Sequence, residues 1–238
     1  MNNPLMQLLR DNTKRDRKAL NVVQKKESPD CTLYIYDVID AYWGISAQEV
    51  ATAVSAANPK GTLHVRINSP GGDVFEARAM ATALREFGGS VVAHIDGQGA
   101  FYMIHNAWSV AFGNKADMRD MAALLDKIDQ DIIADYARVT GADPVQIAAW
   151  MDAETWMTAD ETVANGFAHR LAVEPDGDED GEDDDNDGDG TKNTARWNLA
   201  AYQHAPKALT ERRARAKQPD LAAVHANNCR RLRLLQIA

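Results

Sequence analysis

Residues 67–72, Ile67-Asn68-Ser69-Pro70-Gly71-Gly72, join the end of a strand pattern to the start of a helical one through two adjacent glycines. Without a Cβ, such a turn leaves backbone N–H groups exposed, and at a helix start these can hold an anion, including the oxyanion of an acyl-transfer intermediate. An ordinary strand-to-helix turn uses the same residues, and Pro70-Gly71-Gly72 alone does not choose between the two. A second chemical pattern, Asp185-Asn186-Asp187-Gly188-Asp189-Gly190, resembles the opening of a calcium-binding loop. The twelfth position from Asp185 is Arg196, however, where that chemistry needs a bidentate Glu. Neither a metal nor a cofactor is expected.

The glycine turn sits in an alternation of strands and helices. Residues 32–37 (TLYIYD) and 63–67 (LHVRI) are rich in β-branched and aromatic types, and residues 47–57 (AQEVATAVSAA) between them have helical spacing. After the turn, residues 74–87 predict a helix closed by Gly88-Gly89, and residues 90–95 (SVVAHI) a third strand. A short apolar run follows at 101–104. Residues 115–140 predict a long helix ended by Gly141 and Pro144, with Ala122, Leu125 and Ile128 as its inward positions. Shorter helices are expected at 144–151 and 159–164, then a stop at Gly166 and a final strand at 167–171. Such alternation implies an α/β core of layered β-α-β repeats.

Charge divides the 238 residues further. Residues 1–27 hold seven Lys or Arg against three acids with no clear strand pattern, and residues 1–30 are expected to form a basic, disordered arm. The run lacks the interleaved aromatics on which bases stack, so a nucleic-acid partner is disfavoured. Residues 31–173 form the expected folded domain. Residues 174–190 carry eleven acids and no Lys or Arg, a self-repelling linker, and residues 191–238 carry ten Lys or Arg against two acids, a basic tail. The two cysteines, Cys31 and Cys229, lie far apart, and no apolar run is long enough for a leader or membrane span. A reducing, cytoplasmic setting without a disulfide framework is expected.

Four stretches taken together, INSPGGDV at 67–74, HIDGQGA at 94–100, MIHNAW at 103–108 and DAETWMTADETVANGFA at 152–168, resemble the Clp protease proteolytic subunit family, in order. The phage prohead, or head-maturation, branch is the most similar. The resemblance covers residues 32–173 and implies the layered fold of that family and of the related crotonases. It also implies a serine endopeptidase in which a serine attacks the peptide carbonyl, a histidine takes its proton, an acid orients the histidine, and backbone amides hold the oxyanion.

Carried over by position, the resemblance makes His105 the general base, although a lone histidine is as a rule structural. An imidazole titrates near neutrality, as proton transfer requires. Glu154 falls on the acid, with Asp152 as the alternative; both could equally be solvated acids before a helix. Gly72 matches the oxyanion glycine, with the amide of Asp73 beside it. The nucleophile is the departure. Relatives continue Gly-Gln-Gly-Ala into Ser, a helix and a strand, whereas here Ala100 is followed by Phe101 and roughly twenty residues are absent. The remaining Ser69, Ser90 and Ser109 do not occupy the family position.

Chain length points to the same gap. Were 90–95 and 101–104 parallel neighbours, five residues would have to do the work of a crossover that takes about a dozen or more. Either a segment is missing or the second strand lies elsewhere. The resemblance implies protein substrates, namely capsid or scaffold proteins, self-association through the long helix, and a setting in the host cytoplasm or the phage prohead. A non-catalytic, oligomerising capsid-associated protein is the competing expectation. A crotonase-type acyl-CoA site is opposed by the pairing of Ser-Pro-Gly-Gly with Met-Ile-His.

Overall fold

The computed structural model describes residues 17, 19–24, 28–96, 101–172, 199 and 202–207. The expectations for residues 1–16, for the Gly97-to-Ala100 motif, for the acidic run at 174–190 and for most of the basic tail lie outside the described residues.

A four-stranded sheet has the order β1-β2-β3-β4. β1 (Asn21–Gln24) runs antiparallel to β2 (Cys31–Ile35), and β2, β3 (Thr62–Ile67) and β4 (Ser90–Ile95) are mutually parallel. The crossovers are α1 (Ala47–Ala56) and α2 (Val74–Arg85). Each helix begins where its sequence supplies a cap. Ser46 and Glu49 form a reciprocal capping box on α1, and the Asp73 carboxylate accepts from the amides of Phe75 and Glu76 on α2. Strand alternation then sends Leu33, Ile35, Leu63 and Val65 to one face, where they are buried with Val50, Val54 and Met80.

The opposite face is polar. The Arg66 guanidinium grips Asp96 with two hydrogen bonds, at 2.8 and 2.9 Å, and the Tyr36 hydroxyl donates to the same carboxylate. The His64 and His94 rings meet through their nitrogens at 3.1 Å.

A second core gathers around β5 (Tyr102–Ile104) and β6 (Thr155–Met157), an antiparallel pair. With them go α3 (Lys115–Thr140), α4 (Pro144–Asp152) and α5 (Ala159–Ala164). Gly141 ends α3 in the left-handed conformation that favours glycine (φ 73°), and Pro144 opens α4 behind the Asp143 cap. Ile104, Ile147, Met151 and Met157 are buried here, with Ile132, Ile133, Tyr136 and Phe167 packed against them.

Four expectations are corrected. The stretch read as lacking strand pattern contains β1, whose residues gain their partners from β2 rather than from an apolar face of their own. β5 does not lie beside β4; it pairs with β6, so the chain-length requirement for a crossover between them disappears. Residues 167–170 form bends and Leu171 no regular structure, so the expected strand at 167–171 is absent; Phe167 turns its ring inward onto Tyr102, Tyr136 and Trp150. On α3, Ala122 is exposed and Leu125 and Ile128 are only half-buried. The helix outruns its core, so only its C-terminal half packs, through Ile132, Ile133, Tyr136 and Ala137. Among the described residues, no helix is long and apolar enough to cross a membrane.

Candidate active site

The glycine turn is built by the loop that follows β2. The Ile39 amide donates to the Gly71 carbonyl at 3.0 Å and the Asp73 amide donates to the Ile39 carbonyl at 2.8 Å, so Ile39 and Gly72 form an isolated parallel bridge. The Gly71 amide donates to Ser69 Oγ at 3.1 Å. Of the three successive donors, two are therefore spent inside the turn, and the third, the Gly72 amide, meets no acceptor among the described residues. The Asp73 amide, expected beside Gly72 at the oxyanion position, donates here to the Ile39 carbonyl, and its side chain caps α2.

His105 follows β5 directly and is half-buried. Burial holds its imidazole below the ordinary value, opposed in part by the Asn106 backbone and by the charges of Glu154 and Asp129. The ring is thus neutral at neutral pH, the state that a general base needs.

Glu154 is placed by the end of α4. It has φ 49°, the one described non-glycine residue at positive φ, just beyond the Ala153 cap where glycine is usual. Its carboxylate reaches into a set of donors: Trp156 Nε1 at 3.2 Å and the His204 amide at 3.0 Å on Oε1, and the Gln203 amide at 3.1 Å on Oε2. His105 and Glu154 thus lie within each other's field, but no hydrogen bond joins them. Asp152, the alternative acid, accepts instead from Asn106 Nδ2 at 2.7 Å.

Three residues at this site were not singled out from sequence. Asp129 of α3 accepts from the Ala107 amide at 2.7 Å, fixing the chain two residues after His105. Trp156 and Tyr202 both present rings to the site: Tyr202 stands edge-on to His105 at 5.7 Å and to Trp156 at 5.8 Å between centroids. An acid on a long helix and two aromatics far apart in the chain carry no periodic signal that marks them as site residues.

No hydrogen bond or ring contact among the described residues connects Gly72 or Asp73 with His105. Of the serines, Ser69 is engaged in the turn, Ser90 opens β4, and Ser109 is exposed four positions after His105. A groove of about 410 Å³ between β1 and α1, lined by Leu20, Val22, Cys31 and Ala53 among others, contains none of the site residues. Its lining mixes apolar residues with Gln24, Gln48, Glu49 and Thr52, and burial raises the Cys31 thiol above its ordinary value, so it offers no activated nucleophile. Among the described residues, no group of three or more His, Cys, Asp or Glu could hold a metal ion.

A family model described as Clp protease matches residues 98–174, about a third of the chain. The matched stretch runs from β5 through α5 and includes His105, Asp152 and Glu154; the glycine turn at Gly72 lies outside it. It supports a Clp-like, serine-type peptidase relationship, and the mixed α/β architecture is compatible with it. No curated protein matches the chain.

Proposed function

We propose that this chain descends from Clp-type serine endopeptidases of the phage head-maturation branch and lacks their nucleophile, which leaves it catalytically impaired as it stands. The observation that carries this is His105: a half-buried imidazole kept neutral by burial, within the field of Glu154, inside the stretch matched by the Clp protease family model. Such a group accepts a proton from a nucleophile, while the free Gly72 amide supplies one oxyanion donor. The missing partner is a serine after Ala100.

The open edge of the sheet supports a lost segment. β4 pairs on one side only among the described residues, and Val91 and Ile95 are 39% and 40% exposed along it. A next β-α-β repeat would lay its strand there, and a bare parallel edge strand is a liability that folded proteins usually cover. Substrates in this proposal are capsid or scaffold proteins, met in the host cytoplasm or the prohead.

A second possibility is a non-catalytic, self-associating capsid protein. Met118 and Leu124, 39% and 47% exposed on the half of α3 that has no core beneath it, favour it by offering a surface for a second copy. A fluorophosphonate probe separates the two. No labelling of this chain, with labelling after the segment is restored, supports the peptidase ancestry; labelling of this chain would show a nucleophile in another place.

A further inference from the structure

We propose that His105, Glu154 and Trp156 form a docking site for a peptide segment carrying an aromatic side chain followed by two consecutive free backbone N–H groups, and that Tyr202–His204 of the same chain is its resident occupant. This goes beyond the peptidase proposal, since it needs only the docking geometry and holds with or without a nucleophile.

Two features of the site are chemically selective. Consecutive amides, of Gln203 and His204, each take one oxygen of the Glu154 carboxylate, at 3.1 and 3.0 Å. Successive N–H groups in a turn form a concavity that matches an anion, and bonds to a charged acceptor are stronger than neutral ones. The aromatic requirement comes from the ring of Tyr202. It stands nearly perpendicular to His105, at 69°, and to Trp156, at 79°, the edge-to-face arrangement that ring quadrupoles favour. The Tyr202 amide itself donates to the Leu199 carbonyl at 3.1 Å, anchoring the residue that carries the ring.

The site is built to receive such a segment. Glu154 holds a backbone conformation that side-chain-bearing residues avoid, and that conformation aims its carboxylate at donors 49 and 50 positions away. Recognition is light on sequence: an aromatic ring is needed, proline is excluded at the next two positions, and nothing else in the segment is read. With Tyr202–His204 in place, the oxygens of Glu154 are committed and the Tyr202 ring lies against His105. An incoming peptide of the same class must displace a competitor carried on the same chain, which raises the concentration it has to overcome.

The test uses the full chain and a fluorescein-labelled, acetylated peptide of residues 199–207, read by anisotropy. The peptide is expected to bind the Tyr202→Ala chain at least tenfold more tightly than wild type, where the resident segment competes. Tyr202→Phe should behave as wild type, because the ring and not the hydroxyl is used. A peptide with proline in place of Gln203 should not bind the Tyr202→Ala chain, and Glu154→Gln in that background should weaken the parent peptide at least tenfold. Equal affinity for wild type and Tyr202→Ala, or undiminished binding of the proline peptide, overturns the proposal. Hydrogen exchange on the unmodified chain is a check that needs no variant. The Gln203 and His204 amides should exchange at least tenfold more slowly than in the free peptide, and equal rates overturn it. None of these readouts is turnover, so the peptidase proposal can fail while this one stands, and the reverse.

Discussion

The Asp73 amide donates to the Ile39 carbonyl at 2.8 Å, and between these two residues the backbone passes so closely that Gly72 has no room for a side chain. A Cβ on Gly72 would lie 2.1 Å from the Ile39 oxygen, with φ at +153°. The obstruction is backbone, which cannot swing aside. Gly72→Ala is therefore expected to lower stability by about 1–3 kcal/mol, the range for strain at a special backbone position. Gly71→Ala is the comparison: its φ is +89° but nothing lies within 4 Å, so only the conformational penalty applies. Urea midpoints decide it, and a Gly72→Ala loss no larger than that of Gly71→Ala would show that the Ile39 bridge is not a fixed part of the fold.

Two histidines set a pH dependence. Burial lowers the value of His105, and burial together with the charges of Arg66 and His64 lowers that of His94. The folded values thus lie below the ordinary 6.5. Below that pH the unfolded chain takes up protons that the folded chain refuses, so stability is greatest above it and falls as pH drops through it. Urea midpoints should decline between about pH 7.5 and about pH 5.5, with a shallower decline in His94→Gln. A midpoint that is flat or rises over this window contradicts the burial of both rings.

Most of the first core was legible from sequence because its signals are local. The parallel strands are continuous apolar or alternating runs, and Ser46, Glu49 and Asp73 announce the helix starts that separate them. What escaped depended on partners. β1, with only its first residue less than exposed, is a strand because β2 lies beside it, and the three residues of β6 are too few to show a period. Phe167 was apolar enough to suggest a strand but is a packing ring. At the candidate site, His105 and Glu154 were proposed through family likeness. Tyr202 was not, since a docking contact 97 positions from its histidine leaves no trace in spacing.

The two candidate acids are separable by their effect on the base. Glu154 acts on His105 through charge and raises its value, whereas Asp152 is bonded to Asn106 and does not contribute. Glu154→Gln should thus lower the His105 titration midpoint further, and Asp152→Asn should leave it in place. NMR titration of the ring protons, assigned by His105→Gln, reads both. A shift with Asp152→Asn alone would transfer the acid's role to Asp152.

Peptide hydrolysis by this chain is expected to be no faster than by a His105→Ala variant. On the proposed reading the chain has no nucleophile for the base and oxyanion donor to serve, and loss of a triad member leaves at most about 10³–10⁴ over water to binding and the oxyanion hole. That residue shrinks further here, because two of the three turn amides are already engaged and the oxygens of Glu154 are held by Gln203 and His204. Restoring a family-like segment that starts with serine after Ala100 would supply both the nucleophile and a strand for the edge of β4 that has no partner among the described residues. Turnover should then appear and should depend on His105, and it should rise again in Tyr202→Ala, where Glu154 is released. A fluorogenic-peptide assay on the wild-type, His105→Ala and restored chains measures this. Clear wild-type turnover abolished by His105→Ala would mean that another residue, with the exposed Ser109 first among them, serves as nucleophile and that no segment is missing from the mechanism.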